Sequence, residues 1–215
     1  MKILAMSDLH GYLPDDVPPC DLLLLAGDVC PIENHTLAFQ HDWLDNDFRR
    51  WLQRLPARHI IGIAGNHDLI FEHAPELVPG DLPWTYLQDS GVTWEGIKIW
   101  GTPWQPWFFD WAFNGRPEQL QKIWSLIPDD TDILVVHGPP HGYGDAVPER
   151  YGVRRTGCPH LLERIQTIQP RLAVFGHIHE GRGQWTVGRT ILANVTMLNA
   201  SYVPIYPPWE MEWQS

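Results

Sequence analysis

Five short apolar runs, each followed at once by polar residues, constrain the fold of this chain more than any other feature. They are Ile3–Met6, Leu22–Ala26, Ile60–Ala64, Ile133–Val136 and Leu172–Phe175. Continuous apolar runs of this length are typical of strands that are buried on both faces, as in sheets covered by helices. No composition shift or repeat divides the chain, so residues 1–215 are predicted to form a single α/β domain.

Helical periodicity lies between the second and third apolar runs. From about His35 to Leu55, apolar side chains recur three, four and seven residues apart, which predicts an amphipathic helix with one apolar stripe. Shorter helices are predicted at Pro117–Leu126 and Pro159–Ile168, because each segment opens with a proline where a first helical turn tolerates it.

Two hairpins and a tail complete the predicted elements. Gln184–Val187 and Thr190–Val195 flank a turn at Gly188, and Thr93–Trp100 contains a second candidate turn at Glu95-Gly96. The proline-containing segment Pro204–Ser215 is predicted to be an extended tail packed on the surface.

The overall charge bears on the kind of partner. Hydrophobic residues make up 44% of the chain and charged residues 19%, a composition that excludes intrinsic disorder. Lys and Arg total 15 against 26 Asp and Glu, for a net charge of −11. Extended nucleic acid is bound through clustered cationic side chains, so we do not expect it as a partner. A small anionic substrate that is held through bound cations is more compatible with this excess of acidic residues.

Cysteine usage and hydropathy indicate the compartment. Cys20, Cys30 and Cys158 are scattered and form no CxxC pair, so neither a disulfide framework nor a thiolate zinc site is predicted. The apolar run before Asp8 is too short for a signal peptide, and the longest apolar run is only strand-sized. We therefore expect a cytoplasmic protein without a membrane partner.

Polar residues at the ends of the apolar runs form the candidate functional site. Ligands of α/β sheets bind at the carboxyl ends of strands, where the following loops converge. The candidate metal ligands there are Asp8, His10, Asp28, Asn66, His137, His177 and His179. Mixed nitrogen and oxygen donors without a thiolate suit manganese, iron or zinc. Seven donors exceed the needs of one such ion and match two ions that share a carboxylate.

The same residues form an ordered set of motifs. Asp8-Leu9-His10, Gly27-Asp28, Gly65-Asn66-His67-Asp68, His137 and Gly176-His177-Ile178-His179 follow the series D-x-H, G-D, G-N-H-[DE], H and G-H-x-H. Over residues 3 to 179 this series resembles the calcineurin-like metallophosphoesterase superfamily. The resemblance implies a four-layer α-β-β-α sandwich, in which two sheets pack face to face between outer helices.

A narrower resemblance rests on further segments. Trp100–Pro103, Asp110–Asn114, His137–Pro140 and His177–Gly181 are similar to the metallophosphoesterase-domain-containing (239-type) subfamily. Some members of that subfamily lack the first histidine of G-H-x-H. This chain keeps His177, so both metal positions are expected to be complete.

The resemblance also implies a role for each motif residue. One metal ion would be held by Asp8, His10, Asp28 and His179, and the other by Asp28, Asn66, His137 and His177, with Asp28 bridging. The ions would be divalent or mixed-valence manganese, iron or zinc. The catalytic residues would be His67, as a general acid or electrostatic stabiliser for the leaving oxygen, and Asp68, which would orient an imidazole or the loop. Candidate substrate contacts are Asn66, His67 and His141, the last on a glycine-rich loop.

These roles imply a dinuclear-metal-dependent phosphoesterase in which a metal-bridging hydroxide attacks the phosphorus. The subfamily resemblance and the acidic charge favour phosphodiester bonds of small substrates such as cyclic nucleotides. Phosphomonoesterase or protein phosphatase activity on the same metal core, and a non-catalytic nucleotide-binding scaffold, are the alternatives.

Residues outside the motifs receive structural interpretations. His35, His41, His59, His73 and His160 are predicted at surface or helix positions, and Arg154 and Arg155 as a solvated pair. The Trp-rich segment Trp100–Phe113 is predicted first as a satellite core or a homodimer contact. The alternative for this segment is a wall on which a nucleobase stacks.

Overall fold

The computed structural model describes residues 1–214; Ser215, at the end of the predicted tail, lies outside the described residues. In chain order the strands are β1 (Lys2–Met6), β2 (Cys20–Ala26), β3 (Ala57–Ile63), β4 (Thr85–Tyr86), β5 (Ser90–Trp94), β6 (Ile97–Thr102), β7 (Gln105–Pro106), β8 (Asn114–Gly115), β9 (Ile133–Val136), β10 (Ala146–Glu149), β11 (Gly152–Arg155), β12 (Leu172–Phe175), β13 (Gly183–Val187), β14 (Thr190–Asn194) and β15 (Trp209–Glu212). The α-helices are α1 (Leu37–Trp43), α2 (Arg49–Arg54), α3 (Leu69–His73), α4 (Pro117–Ser125) and α5 (Pro159–Ile168). A π-helical stretch, Leu44–Phe48, joins α1 to α2, and Pro75–Leu77 and His179–Gly181 are 3-10 turns.

Two large sheets carry the structure. The first has the strand order β15-β1-β2-β3-β4 and the second the order β13-β14-β12-β9-β6-β5. Strands β1, β2 and β3 run parallel to one another, and so do β6, β9, β12 and β14. The carboxyl ends of the parallel strands therefore meet at one edge of each sheet, which is where the polar motifs follow.

Alternation along β2 shows how the first sheet is covered on both faces. Leu22 and Leu24 belong to an apolar cluster between the two sheets, whereas Leu23 and Leu25 belong to a second cluster that contains the apolar side chains of α1 and α2. Successive side chains of a strand point to opposite faces, so a strand covered on both faces is apolar throughout.

The second sheet repeats this arrangement. Ile133 and Val135 of β9 lie in the cluster between the sheets, while Leu134 and Val136 lie in a third cluster with side chains of α4 and α5. Three apolar clusters separate four layers, in the order helices, sheet, sheet, helices. The α/β fold class and the four-layer α-β-β-α sandwich are confirmed.

The helix predicted from His35 to Leu55 is present but not uniform. The π-helical stretch between α1 and α2 shifts the apolar stripe, so that Trp43, Leu44 and Phe48 are all buried in the cluster beneath the helices. The predicted helices at Pro117–Leu126 and Pro159–Ile168 correspond to α4 and α5. Both predicted hairpins form, and the turn at Glu95-Gly96 has left-handed φ values of 46° and 82°, as two-residue hairpin turns require.

The prediction for the tail was incomplete. Residues Trp209–Glu212 form β15, which pairs antiparallel with β1 at the edge of the first sheet. Trp209 and Met211 pack against the cluster between the sheets, and Trp213 is buried in it. The alternation of apolar and acidic residues from Trp209 to Trp213 is a strand pattern, and the strand covers the otherwise open edge of β1.

Two expectations concern the chain as a whole. Among residues 1–214, no helix combines the length and the apolar character needed to cross a bilayer. The single domain over residues 1–215 stays a prediction.

Candidate metal centre

The seven predicted metal ligands come from both sheets and meet in one place. Asp8 and His10 follow β1, Asp28 follows β2 and Asn66 follows β3, all in the first sheet; His137 follows β9, and His177 and His179 follow β12, in the second. Five of the seven are buried, and His10 and His177 are partly buried. We call these seven residues the metal centre.

One half of the metal centre is built around two facing imidazoles. His10 Nε2 and His179 Nε2 lie 3.3 Å apart. His179 Nε2 is 3.5 Å from Asp8 Oδ1, and His10 Nε2 is 3.6 Å from Asp28 Oδ2. Four donor atoms therefore surround one point.

The other half is built around the Asn66 amide oxygen. Asn66 Oδ1 lies 2.9 Å from His137 Nε2 and 2.7 Å from His177 Nδ1. His137 Nε2 is also 3.3 Å from Asp28 Oδ2. The same Asp28 oxygen thus faces imidazole nitrogens of both halves, which is the position of a bridging ligand.

The donor atoms fit the ions that the motifs imply. Ligand atoms about 2.0–2.2 Å from one ion are separated by roughly 3–3.5 Å in octahedral or tetrahedral geometry. The separations found here run from 2.7 Å, for Asn66 and His177, to 3.6 Å, for His10 and Asp28. A buried set of imidazole nitrogens, carboxylate oxygens and an amide oxygen, without thiolate, suits manganese, iron or zinc.

The backbone of the metal centre is held in an unusual conformation. Asp8, His10, Asp28 and His177 have positive φ values of 54°, 45°, 53° and 66°. Such left-handed residues cost roughly 1–3 kcal/mol each, and they persist only where the surrounding structure imposes them. Here backbone hydrogen bonds impose them: His10 N donates to Asp28 O at 2.9 Å, and His177 N donates to Asp8 Oδ1 at 2.9 Å. The ligands are therefore positioned by the chain itself.

Three motif glycines leave room for the ligands. A Cβ atom on Gly27 would lie 2.6 Å from His137 Nδ1. A Cβ on Gly65 would collide with the Asp28 carboxylate, and one on Gly176 with the carboxylate of Asp8. The glycine that precedes Asp28, Asn66 or His177 is thus required by the close approach of a ligand from another strand.

Burial keeps two of the imidazoles neutral. Desolvation lowers the pKa of His10 to about 4, although Asp28 and Asp8 act in the opposite direction. Desolvation, reinforced by His137, lowers the pKa of His177 to about 3. Neutral imidazoles present a free lone pair, which is the form that binds a metal ion.

The carboxylates remain charged despite their burial. Desolvation opposes ionisation of Asp28, but the charge of His137 outweighs it and holds the pKa of Asp28 well below its usual range. Desolvation likewise opposes ionisation of Asp8, but the hydrogen bond and charge of His179 lower the pKa of Asp8 to about 2. Asp28 in turn outweighs the desolvation of His137 and raises the pKa of His137 to about 9. Two buried carboxylates require compensating positive charge, which protons or cations can supply.

The two predicted catalytic residues occupy different positions. The ring of His67 lies edge-on to that of His10, with centroids 5.0 Å apart, and its backbone N–H donates to Asp28 Oδ1 at 2.7 Å. Asp68 is completely buried and accepts hydrogen bonds from the backbone N–H groups of Val29, Cys30 and Gly65, at 3.2, 2.8 and 2.8 Å. Asp68 therefore ties the loop after β2 to the loop after β3.

The predicted substrate contact His141 forms its side-chain contact outside the metal centre, with Asp145. Its Nδ1 lies 3.6 Å from Asp145 Oδ2, and its side chain is half exposed. Among residues 1–214, none of its hydrogen bonds or ion pairs reaches the seven ligands. Arg155 pairs with the buried Asp145 at 2.6 Å and Arg154 with Glu149 at 2.8 Å, so each arginine has an acidic partner.

A cavity of about 540 Å³ opens beside His67. Its other lining residues are Phe108, Phe109, Asp110, Trp111 and Tyr202. We call the four aromatic side chains of this set, Phe108, Phe109, Trp111 and Tyr202, the aromatic rim.

The Trp-rich segment divides between core and rim. Phe113 is completely buried in the cluster under the helices, whereas Phe108 and Phe109 are 40% and 70% exposed. The buried Asn114 holds the loop between them: its Nδ2 donates to the carbonyls of Phe109 and Trp111, both at 2.9 Å. The sequence could not separate these positions, because both uses favour aromatic residues.

Two residues near the site were missed by the sequence analysis. His35 Nε2 lies 3.1 Å from His67 Nδ1, although His35 belongs to no motif. The ring of Tyr202 lies edge-on to those of His10 and His179, with centroids 5.0 and 4.8 Å away. The position of His35 in the loop after the Gly27-Asp28 motif was a usable signal, whereas nothing in the sequence marks Tyr202.

The fold and the metal centre agree with what comparison with known proteins shows. A family model described as calcineurin-like phosphoesterase matches residues 1–181, so the chain belongs to this family of metal-dependent phosphoester hydrolases. It is 38% identical over 234 residues to Metallophosphoesterase domain-containing protein 1 of Homo sapiens, covering 96% of this chain and 69% of that protein. A UPF0046 protein of Caenorhabditis elegans is 32% identical over 215 residues, covering 93% and 70%. The superfamily and subfamily resemblances are therefore confirmed.

Solved structures extend the likeness of fold. The phosphopantetheinyl hydrolase of Mycobacterium tuberculosis superposes with a TM-score of 0.62, covering 94% of this chain and 90% of that one. The two share 16% sequence identity, so this likeness concerns the fold alone.

Proposed function

We propose that this protein hydrolyses phosphodiester bonds of small substrates such as cyclic nucleotides, with a dinuclear metal centre. The family makes it a hydrolase of phosphoester bonds; the bond type, the number of ions and the substrate are the proposal. The observation that carries it is the aromatic cavity directly beside His67 and the metal centre.

The cavity supports a diester rather than a monoester. Its described lining contains four aromatic side chains and one acidic residue, Asp110, and no lysine or arginine. A phosphomonoester dianion would have no cationic side chain to meet there, whereas a diester carries one negative charge and a second organic group. Aromatic faces can stack on a nucleobase, which contributes roughly 1–3 kcal/mol per base.

The residues that would hold the ions follow from the two halves of the metal centre. Asp8, His10 and His179 would hold one ion, and Asn66, His137 and His177 the other, with Asp28 shared. Manganese, iron or zinc fits this donor set. When bound, two such cations lower the pKa of a water molecule, which supplies the nucleophile, and neutralise charge on the phosphoryl oxygens.

The chain itself acts at the leaving oxygen and on the geometry of the site. His67 lies at the boundary between the metal centre and the cavity, where it would hand a proton to the leaving oxygen as the P–O bond breaks and regain it from water. Asn66 would contact the phosphoryl group from the neighbouring position. Asp68 would act by holding the two ligand loops together, since its carboxylate is occupied by three backbone N–H groups.

The cellular context is part of the proposal. The three cysteines are unpaired and buried, as in a reducing, cytoplasmic compartment. Two exposed side chains of the aromatic rim, Phe108 and Phe109, belong to the Trp-rich segment and are also available for a homodimer contact. We assign them to the substrate because they open onto the same cavity as His67.

The test is hydrolysis by protein reconstituted with manganese. An aryl phosphodiester, the matching aryl phosphomonoester and the 2′,3′- and 3′,5′-cyclic forms of AMP are compared, with a chelator control. We expect chelator-sensitive hydrolysis of the diesters at a higher kcat/KM than of the monoester. Preference for the monoester would make the protein a phosphomonoesterase. Absence of turnover with two ions bound per chain would make it a nucleotide-binding scaffold.

A further inference from the structure

We propose that His35 is a positioning residue for His67, holding its ring so that Nε2 faces the leaving oxygen of the substrate. The inference rests on the proposed function, in which His67 acts at that oxygen. It adds a residue that lies outside every motif of the family and does not touch the metal centre.

The contact between the two rings is direct. His35 Nε2 and His67 Nδ1 lie 3.1 Å apart, and the ring centroids are 5.3 Å apart. A hydrogen bond between two imidazoles needs one N–H and one lone pair, so one ring donates and the other accepts. In either arrangement Nδ1 of His67 forms its hydrogen bond with His35. Its Nε2, on the far side of the ring, is the nitrogen left for the substrate.

The backbone of His67 is fixed independently of its ring. Its N–H donates to Asp28 Oδ1 at 2.7 Å, and its carbonyl accepts from Gln40 Nε2 at 2.7 Å. Gln40 is completely buried on α1, five residues after His35, and its Oε1 also accepts from Ile70 N at 2.9 Å. The start of α1 therefore holds His67 twice, at its backbone through Gln40 and at its ring through His35.

Packing alone leaves the ring orientation of His67 undetermined. Its ring lies between Trp111, at a centroid distance of 4.2 Å, and the edge of His10, at 5.0 Å. Trp111 also packs on His35 at 4.8 Å. These contacts confine the plane of the ring, but a half-turn of an imidazole exchanges nitrogen and carbon positions at little steric cost. The hydrogen bond between His35 and His67 Nδ1 is a directional contact that favours one of the two orientations, the one in which the other ring nitrogen can face His10 and Asp28.

A leaving-group comparison separates positioning of His67 from general damage. General acid catalysis matters for a poor leaving group, such as the ribose oxygen of 2′,3′-cyclic AMP, and little for a good one, such as a nitrophenol. Steady-state kinetics are measured for both diesters on the metal-loaded native protein and on His35→Ala, His35→Gln, His67→Ala and the double variant. His160→Ala is the matched control, because His160 lies on α5 and, among residues 1–214, its ion pair is with Glu163.

We expect His35→Ala to lower kcat for the cyclic nucleotide by about tenfold to a hundredfold, with KM nearly unchanged and less than about threefold loss on the nitrophenyl diester. His35→Gln, which keeps a hydrogen-bonding group, should recover most of the loss. His35→Ala should cost nothing further in the His67→Ala protein, since both act through one ring. Equal losses on both diesters, or full additivity in the double variant, would overturn the proposal.

A spectroscopic readout tests the contact without any turnover. Long-range ¹H–¹⁵N spectra of the zinc-loaded protein, in which the metal is diamagnetic, report which ring nitrogen of His67 carries hydrogen. We expect one dominant form in the native protein and exchange between two forms in His35→Ala. Unchanged His67 nitrogen shifts in that variant would overturn the positioning role. If the native protein hydrolyses neither diester, the proposed function fails while this result still decides the role of His35.

Discussion

The metal centre and the aromatic rim lie side by side but are built in opposite ways. The seven predicted ligands follow buried strands, and hydrogen bonds between the loops of both sheets hold their backbone. The rim residues lie on loops, and Phe108, Phe109 and Tyr202 are 40%, 70% and 44% exposed. Under the proposed function, the sheets would fix the chemistry of the reaction, while the loops above them would select the substrate.

The two regions are nevertheless joined at the ligands. Ala112 N, next to Trp111, donates to Asn66 O at 3.1 Å. On the other side of the cavity, His179 Nδ1 lies 3.1 Å from the carbonyl of Asn199, whose side chain accepts hydrogen bonds from Ser201 N and Val203 N on either side of Tyr202. The backbone that carries Trp111 and Tyr202 is thus linked to the metal centre by hydrogen bonds, whereas the side chains of Phe108, Phe109 and Tyr202 are exposed.

The largest effect is expected from Asp28→Asn, which removes the charge shared by both halves of the metal centre. An amide oxygen is a weaker ligand than a carboxylate and leaves the buried imidazoles without their counter-charge, so we expect loss of at least one ion and about a thousandfold lower kcat. Metal content and hydrolysis rate are measured on the same sample. A variant that binds two ions and hydrolyses at the native rate would contradict the assignment of Asp28 as the ligand shared by two ions.

A smaller effect is expected from Gly176→Ala, which keeps all seven predicted ligand residues but displaces one of them. The added Cβ would collide with the Asp8 carboxylate and the Ser7 hydroxyl, and displacing groups that orient ligands typically weakens metal binding by about 10–100-fold. Gly80→Ala is the matched control, since a Cβ there meets nothing within 4 Å. Titration of metal-free protein gives both affinities. Equal affinities for the two variants would show that the metal centre adjusts more freely than its backbone indicates.

This contrast also explains what could be predicted from the sequence. The strand ends and the meeting of the seven predicted ligands could be predicted, because each polar motif directly follows a buried parallel strand of one of the two sheets. The π-helical stretch after Trp43 could not be predicted from the sequence, because the apolar residues on either side of it are still spaced much as in a regular α-helix. The strand at Trp209–Glu212 was not predicted, because the prolines that precede it in the sequence are typical of an irregular tail.

The residues around the ligands were harder to foresee for a related reason. His35 and Tyr202 approach the site through loops whose course depends on tertiary contacts, such as the Asn199 hydrogen bonds, rather than on local propensity. Conversely, His141 follows His137 on the same loop, but the buried Asp145 draws that loop toward Arg155. The substrate contact of His141 therefore stays a prediction, and its only side-chain ion pair among the described residues is with Asp145.

The smallest effect tests the rim directly and uses two matched tyrosines. Tyr202→Leu removes an aromatic face from the cavity, whereas Tyr151→Leu removes one from the β10–β11 hairpin, where Tyr151 is 88% exposed. For a cyclic nucleotide we expect Tyr202→Leu to raise KM by about fivefold, equivalent to about 1 kcal/mol of lost stacking, with metal content retained. Tyr151→Leu should leave KM unchanged. If Tyr202→Leu instead lowers kcat at constant KM, Tyr202 acts on the neighbouring rings of His10 and His179. Tyr202 would then belong with the metal centre rather than with the aromatic rim.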